Sequence, residues 1–273
     1  MQLKHTQTIV YLTVFLSLLL TIVSFSGGFI ESTYKREALS IAVQGIGQDI
    51  FDLFIVVPLL LISMFFTTQG KRTALFIFAG TVFYIMYSFF IYSFGIHFNM
   101  LFVFYCFTLG SSFYLFVLLL TEMTHMDIER WFEEKTPVRS TASFFLLIAV
   151  LFYFLWFSDI IPAIVNNTIP KSVSDYNLLV DPVHVLDLSF VLPGLIITSI
   201  LLIKKRKTGF IFAAVLLIFT VLLSLALIAM AVMLNVRNVT EDFSLVIIFS
   251  VIAVISVVYL FIFLKRMKTP DAL

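Results

Sequence analysis

The stretch DPVHVLDLSFVLPG, residues 181–194, heads one of the most hydrophobic segments of the chain, yet it carries a histidine and two aspartates. Asp181 followed by Pro182 reads as a helix start. The carboxylate accepts backbone N–H groups that a first turn leaves without partners, and the fixed φ of proline suits the first helical position. The apolar run behind it reaches residue 203, close to the roughly 20 residues that cross a bilayer. The whole chain is like this segment: of 273 residues, 61% are hydrophobic and 12% charged, with a mean hydropathy of +1.11. Soluble domains are about 45–50% apolar and about a quarter charged. The solvent of this protein is therefore lipid.

Read on the length rule, the sequence offers eight spans, at 8–29, 50–67, 74–94, 99–121, 142–160, 183–203, 209–234 and 243–264. None alternates polar and apolar residues as barrel strands do, so the expected fold is all-α and polytopic. Thirteen of the seventeen lysines and arginines then fall on one side, among them Lys71, Arg72, the run Lys204–Lys207 and Lys265. That bias predicts cytoplasmic N and C termini in a cell membrane. The first run is too long for a secretory signal. A net charge of +1 argues against a nucleic-acid partner. A single cysteine, Cys106, excludes an intramolecular disulfide.

DLFIVVP (52–58) and DLSFVLP (187–193) align at an offset of 135, and Lys71-Arg72-Thr73 then falls on Arg206-Lys207-Thr208. The expected organisation is two parallel four-helix repeats, 1–121 and 140–273, joined by a charged cytoplasmic linker at 122–139. Met126, Trp131 and Phe132 in that linker predict a short interfacial helix, with Glu122, His125 and Glu129 on one face.

In that alignment Asp52 matches Asp187, and Asp49 matches His184. Each pair is spaced i, i+3, so its members share a helix face. Capping explains Asp181 and accounts for Asp49 as a helix-head residue, but Asp187 lies about 9 Å beyond its cap. Facing lipid there, a carboxylate costs up to about 2.5–3.5 kcal/mol, so Asp52 and Asp187 must face protein or water. Convergence of the repeats would bring together three carboxylates and an imidazole near the outer face. No cofactor is expected, but such donors suit a hard or borderline cation or a proton-coupled site. Tyr84, Ser88 and Tyr92, at i, i+4 and i+8, run toward His97 and form a second pocket wall. Pro58 and Pro193 are hinge candidates, each freeing a carbonyl four residues earlier. Tyr105, Thr108 and Ser112 fit close helix packing.

The sequence has no phosphate-binding glycine loop, no H-E-x-x-H and no G-x-S-x-G. The favoured function is binding or transport of a small solute or ion through an outer-facing polar site between the repeats. The alternatives are a membrane-embedded enzyme with a carboxylate–His site, or a non-catalytic membrane subunit or sensor.

At NNTIPKSVSDYNLLVDPVHVLDLSFVLPGLI, GQDIFDLFIVVPLLLISM and FGIHFNMLF the chain resembles a family of uncharacterised multi-pass bacterial membrane proteins. The resemblance covers most of the second to sixth spans. It implies a bacterial cytoplasmic membrane and carries over no functional residues.

Overall fold

Every apolar run folds as a helix, because a backbone in lipid has no water to bond and must satisfy itself internally. The computed structural model describes residues 3–240 and 242–268. Its eight long helices are α1 Thr6–Phe29, α2 Leu39–Thr68, α3 Arg72–Gly95, α4 Phe102–Thr124, α5 Val138–Val165, α6 Pro182–Ile203, α7 Lys207–Val236 and α8 Ser244–Lys265. All eight are long and apolar enough to cross a membrane. Among the described residues there is no strand, only an isolated bridge between Phe132 and Met267.

The expected start of the second span is wrong by eleven residues: α2 begins at Leu39, not at 50. The reason is tertiary. LSIAVQGIGQ (39–48) is only mildly apolar, but its glycines let other parts of the chain approach closely. A Cβ at Gly47 would meet the carbonyl of Ala229 on α7, and one at Gly45 would press on the Tyr34 ring. Asp49 therefore lies ten residues inside the helix, roughly 15 Å from its start, and caps nothing. Asp181 does cap α6, accepting from the Val183 amide at 2.8 Å.

The prolines act differently from a simple kink. Before each, the helix opens into one wide π turn, Asp52–Val56 and Asp187–Val191. There the amides of Val57 and Leu192 reach five residues back, to the carbonyls of Asp52 and Asp187. Such turns take up one extra residue without breaking the helix and often mark functional sites. Both begin at an aspartate, and they lie 135 residues apart.

The turn after each of these helices also recurs at that distance. Gly70 (φ 82°) and Lys205 (φ 51°) occupy the left-handed region. Lys71 N bonds to Phe66 O, and Arg206 N to Leu201 O, closing the helix end in the same way.

The most buried helices, α3 and α7, cross at the centre, where a Cβ on Gly80 would run into the Ile218 side chain. Phe83 of α3 meets Phe219 of α7 edge-on at 5.0 Å. Around this crossing α2 packs on α7, α1 on α2 and α4, and α6 on α5 and α7. Thr108 and Ser112 are buried in α4, as close packing requires. Loops 30–38, 96–101 and 166–181, with residues 237–240 and 242–243, form the upper end; the remaining connections between the long helices form the lower end.

At the lower end the linker is not an interfacial helix. It forms a 3-10 turn, Ile128–Trp131, whose aromatic residues go inward instead of along a membrane surface. Trp131 meets Phe76 at 6.1 Å, and Phe132 stacks on Phe210 at 4.9 Å. Nor does Glu122 join His125 and Glu129. It accepts from the amides of Lys4 (2.9 Å) and His5 (3.0 Å) and pairs with the His5 ring, tying the start of α1 to the end of α4.

The two left-handed turns give a direct comparison. Gly70→Ala should cost about 1 kcal/mol, since a Cβ is disfavoured at positive φ. Lys205→Ala, where a Cβ is already accommodated, should change stability by less than about 0.5 kcal/mol. Thermal unfolding in detergent measures both.

Candidate functional site

Asp49 and Asp52 lie on α2, each only 1% exposed, and both are held by phenols. Tyr84 donates to Asp52 at 2.9 Å, and Tyr92 to Asp49 at 3.2 Å. The second oxygen of Asp49 accepts from Tyr34, which reaches in from the upper loop. Tyr34 lies outside the spans; its burial, together with the Asp49 charge, pushes its phenol well above the ordinary range and keeps it a donor. Around these hydroxyls, Tyr105 meets Tyr92 at 5.4 Å and accepts from Asn99 at 3.1 Å. No ion pair joins Asp49 or Asp52 to a basic residue among the described residues.

Local sequence makes room for this cluster. Any side chain at Gly27 of α1 would collide with the Asp49 carboxylate and the Tyr34 hydroxyl. Above it an open hollow of about 290 Å³ is lined by Gly27, Ile30, Glu31, Tyr34, Lys35 and Glu37, among others. Tyr34 thus both lines the hollow and covers Asp49.

Asp187 belongs to a different network. Its two oxygens accept from Tyr87 of α3 at 3.0 Å and from the indole of Trp156 at 2.9 Å. His184 packs its ring on Trp156, with centroids 4.6 Å apart, and lies 3.8 Å from the Asp181 carboxylate. It forms no hydrogen bond with Asp187. A cavity of about 50 Å³ lies beside Asp187, with Thr220 and Ser224 in its wall.

The expected convergence of Asp49, Asp52, His184 and Asp187 is therefore corrected. The four residues divide between two networks on helix α3, one reached by Tyr84 and Tyr92 and the other by Tyr87. Among the described residues, no group of three or more His, Cys, Asp or Glu is placed to hold a metal ion. Of the expected second wall, Tyr84, Ser88 and Tyr92 are buried in the first network. His97 is not part of that wall. Its ring and amide both bond to Glu37 at 2.8 Å, and it lines a separate upper cleft of about 400 Å³ with Phe94, Leu179 and Pro182.

Three donors escaped the sequence reading: Tyr34, Tyr87 and Trp156. Tyr84 and Tyr87 sit near the middle of a 24-residue span, where tyrosines of the interfacial belt do not belong. That depth was the available signal for Tyr87. Nothing local marks Tyr34, which is brought in by the fold of its loop.

The chain matches no protein-family model, no curated protein and no solved structure.

Removing one phenol should leave a buried acceptor unsatisfied. Tyr84→Phe and Tyr87→Phe are each expected to cost about 1–3 kcal/mol. A Tyr84→Phe/Asp52→Asn double-mutant cycle should give a coupling of at least about 0.5 kcal/mol. Pairing Tyr84→Phe with Asp187→Asn should give additive losses.

Proposed function

We propose that this multi-pass membrane protein binds and carries a small cationic solute or ion, proton included, at the Asp49–Asp52 cluster, entered from the upper end. One observation carries the reading. Two carboxylates lie deep within a helix long enough to span, with phenol hydroxyls as donors and, among the described residues, no basic residue paired to them. Acidic groups within spans are costly to place and commonly serve ion or proton pathways. A cation entering from the hollow meets Tyr34 first, and displacing its hydroxyl opens one oxygen of Asp49.

The same reading takes the upper end as the outside of a bacterial cytoplasmic membrane, with both termini inside, on the lysine and arginine bias. It takes residues 1–121 and 140–273 as parallel repeats joined by 122–139. The π turns and left-handed turns recurring 135 residues apart support this. Pro58 and Pro193, each one residue past a π turn's closing bond, are the hinge positions.

The test is thermal unfolding of the detergent-purified protein across pH and across a panel of alkali, alkaline-earth and small organic ammonium cations at fixed ionic strength. A ligand selective for the folded state should stabilise it by about 2.7 kcal/mol at one hundred times its Kd. Asp49→Asn/Asp52→Asn should abolish that response, and Tyr34→Phe should strengthen it. Equal responses from wild type and the double variant would reject the proposal.

A further inference from the structure

A shallow groove of about 480 Å³ runs down the lower half of α8 and meets the start of α3. Its wall is Val257, Leu260, Phe261 and Leu264, spaced i, i+3, i+4 and i+7 on one face, so the groove follows the helix axis. Its lower end is polar, with Lys265 and Thr73 in the lining and Lys71 immediately before α3. Lys71, Thr73 and Lys265 are all exposed, and among the described residues neither lysine has an acidic partner at ion-pair distance. Arg72 is otherwise engaged: it lies over the Trp131 ring at 4.9 Å and donates to the Lys268 carbonyl at 3.3 Å.

The corresponding place on the other side of the bundle, where the start of α7 meets the end of α4, carries the same kind of tie as Arg72 makes here. There Lys207 donates to the Thr124 carbonyl at 3.1 Å. At the α3–α8 place the apolar surface is open, with Phe261 63% exposed and Val257 47%, and the Lys265 ammonium lies at its end, 5.7 Å from the centre of the Phe261 ring. An apolar trough that ends at the Lys265 ammonium, with the exposed Lys71 two residues before the Thr73 of its lining, matches one molecule of the surrounding solvent better than any other: a lipid with an acyl chain and an anionic head.

We infer that the α3–α8 groove is a binding site for one anionic phospholipid. An acyl chain lies along Val257, Leu260, Phe261 and Leu264, and the headgroup phosphate meets Lys265, Lys71 and the Thr73 hydroxyl. The basic residues that bound the lower end of the bundle supply the general attraction to an anionic leaflet; the groove supplies the position. This assignment is independent of the Asp49–Asp52 cluster.

Native mass spectrometry of the full chain, released from nanodiscs of phosphatidylglycerol and phosphatidylcholine in equal parts, tests it. Wild type should retain phosphatidylglycerol in preference to phosphatidylcholine. Lys71→Gln/Lys265→Gln should retain it about tenfold less. Leu260→Trp, which fills the trough and leaves every charge in place, should lose it too, whereas Lys204→Gln/Arg206→Gln should behave as wild type. The assignment is overturned by no preference between the two lipids, by equal loss in Lys204→Gln/Arg206→Gln, or by full retention in Leu260→Trp. Displacement of the lipid by inorganic phosphate alone would do the same, since it would leave the trough without a role. Circular dichroism of each variant confirms that it remains helical, and the Leu260→Trp arm decides the matter if the lysine variant does not fold.

Discussion

A carboxylate taken below the surface of a lipid bilayer must find hydrogen-bond donors within the protein. The rest of this structure depends on how that demand is met. Three aspartates lie buried on α2 and α6, and α3 donates to each through Tyr84, Tyr87 or Tyr92. A phenol suits the task because it supplies a donor on an apolar body, without the desolvation cost of an ammonium or guanidinium. The arrangement also explains why α3 sits at the centre. It must show one face to Asp49 and Asp52 and another to Asp187, so it has little surface left for lipid.

The sharing of α3 makes the halves unequal despite their matching turns. The α7 residues at the tyrosine positions, 135 further on, are Phe219, Leu222 and Leu227, which offer no donor. Trp156 of α5 supplies the second donor to Asp187, where Asp49 instead has Tyr34 from a loop. An indole carried on a helix is positioned by that helix; a phenol carried on a loop and lining an open hollow is one that a ligand can replace. That difference is why the proposed cation site is placed on the first network, with the second as a tie between halves. Asp52 and Asp187 each begin a π turn, so a change in their hydrogen bonding acts where the helix is already widened.

How much of this was legible in the sequence depended on range. Span number, the capping role of Asp181 and the need for Asp52 and Asp187 to avoid lipid follow from local composition, hydropathy and helix-end chemistry. The start of α2 does not. Gly45 and Gly47 look like a loop until Tyr34 and Ala229 are known to fill the space beside them. Asp49 was accordingly misread as a helix-head residue, whereas it is buried in the third turn. The convergence of four polar residues rested on symmetry, which says that equivalent groups occupy equivalent places but not that they meet. The linker failed for a related reason: Trp131 and Phe132 among charges look interfacial, and only Phe76, Phe210 and Phe263 reveal the socket that receives them.

The most direct measurement of the central claim is infrared difference spectroscopy of the purified protein, wild type minus Asp52→Asn, which isolates the Asp52 carboxyl band. The same difference is then taken in Tyr84→Phe and Tyr87→Phe backgrounds. If α3 holds the two halves through separate phenols, Tyr84→Phe shifts the Asp52 band and Tyr87→Phe leaves it in place. A band that ignores Tyr84→Phe, or moves equally in both backgrounds, would contradict the account.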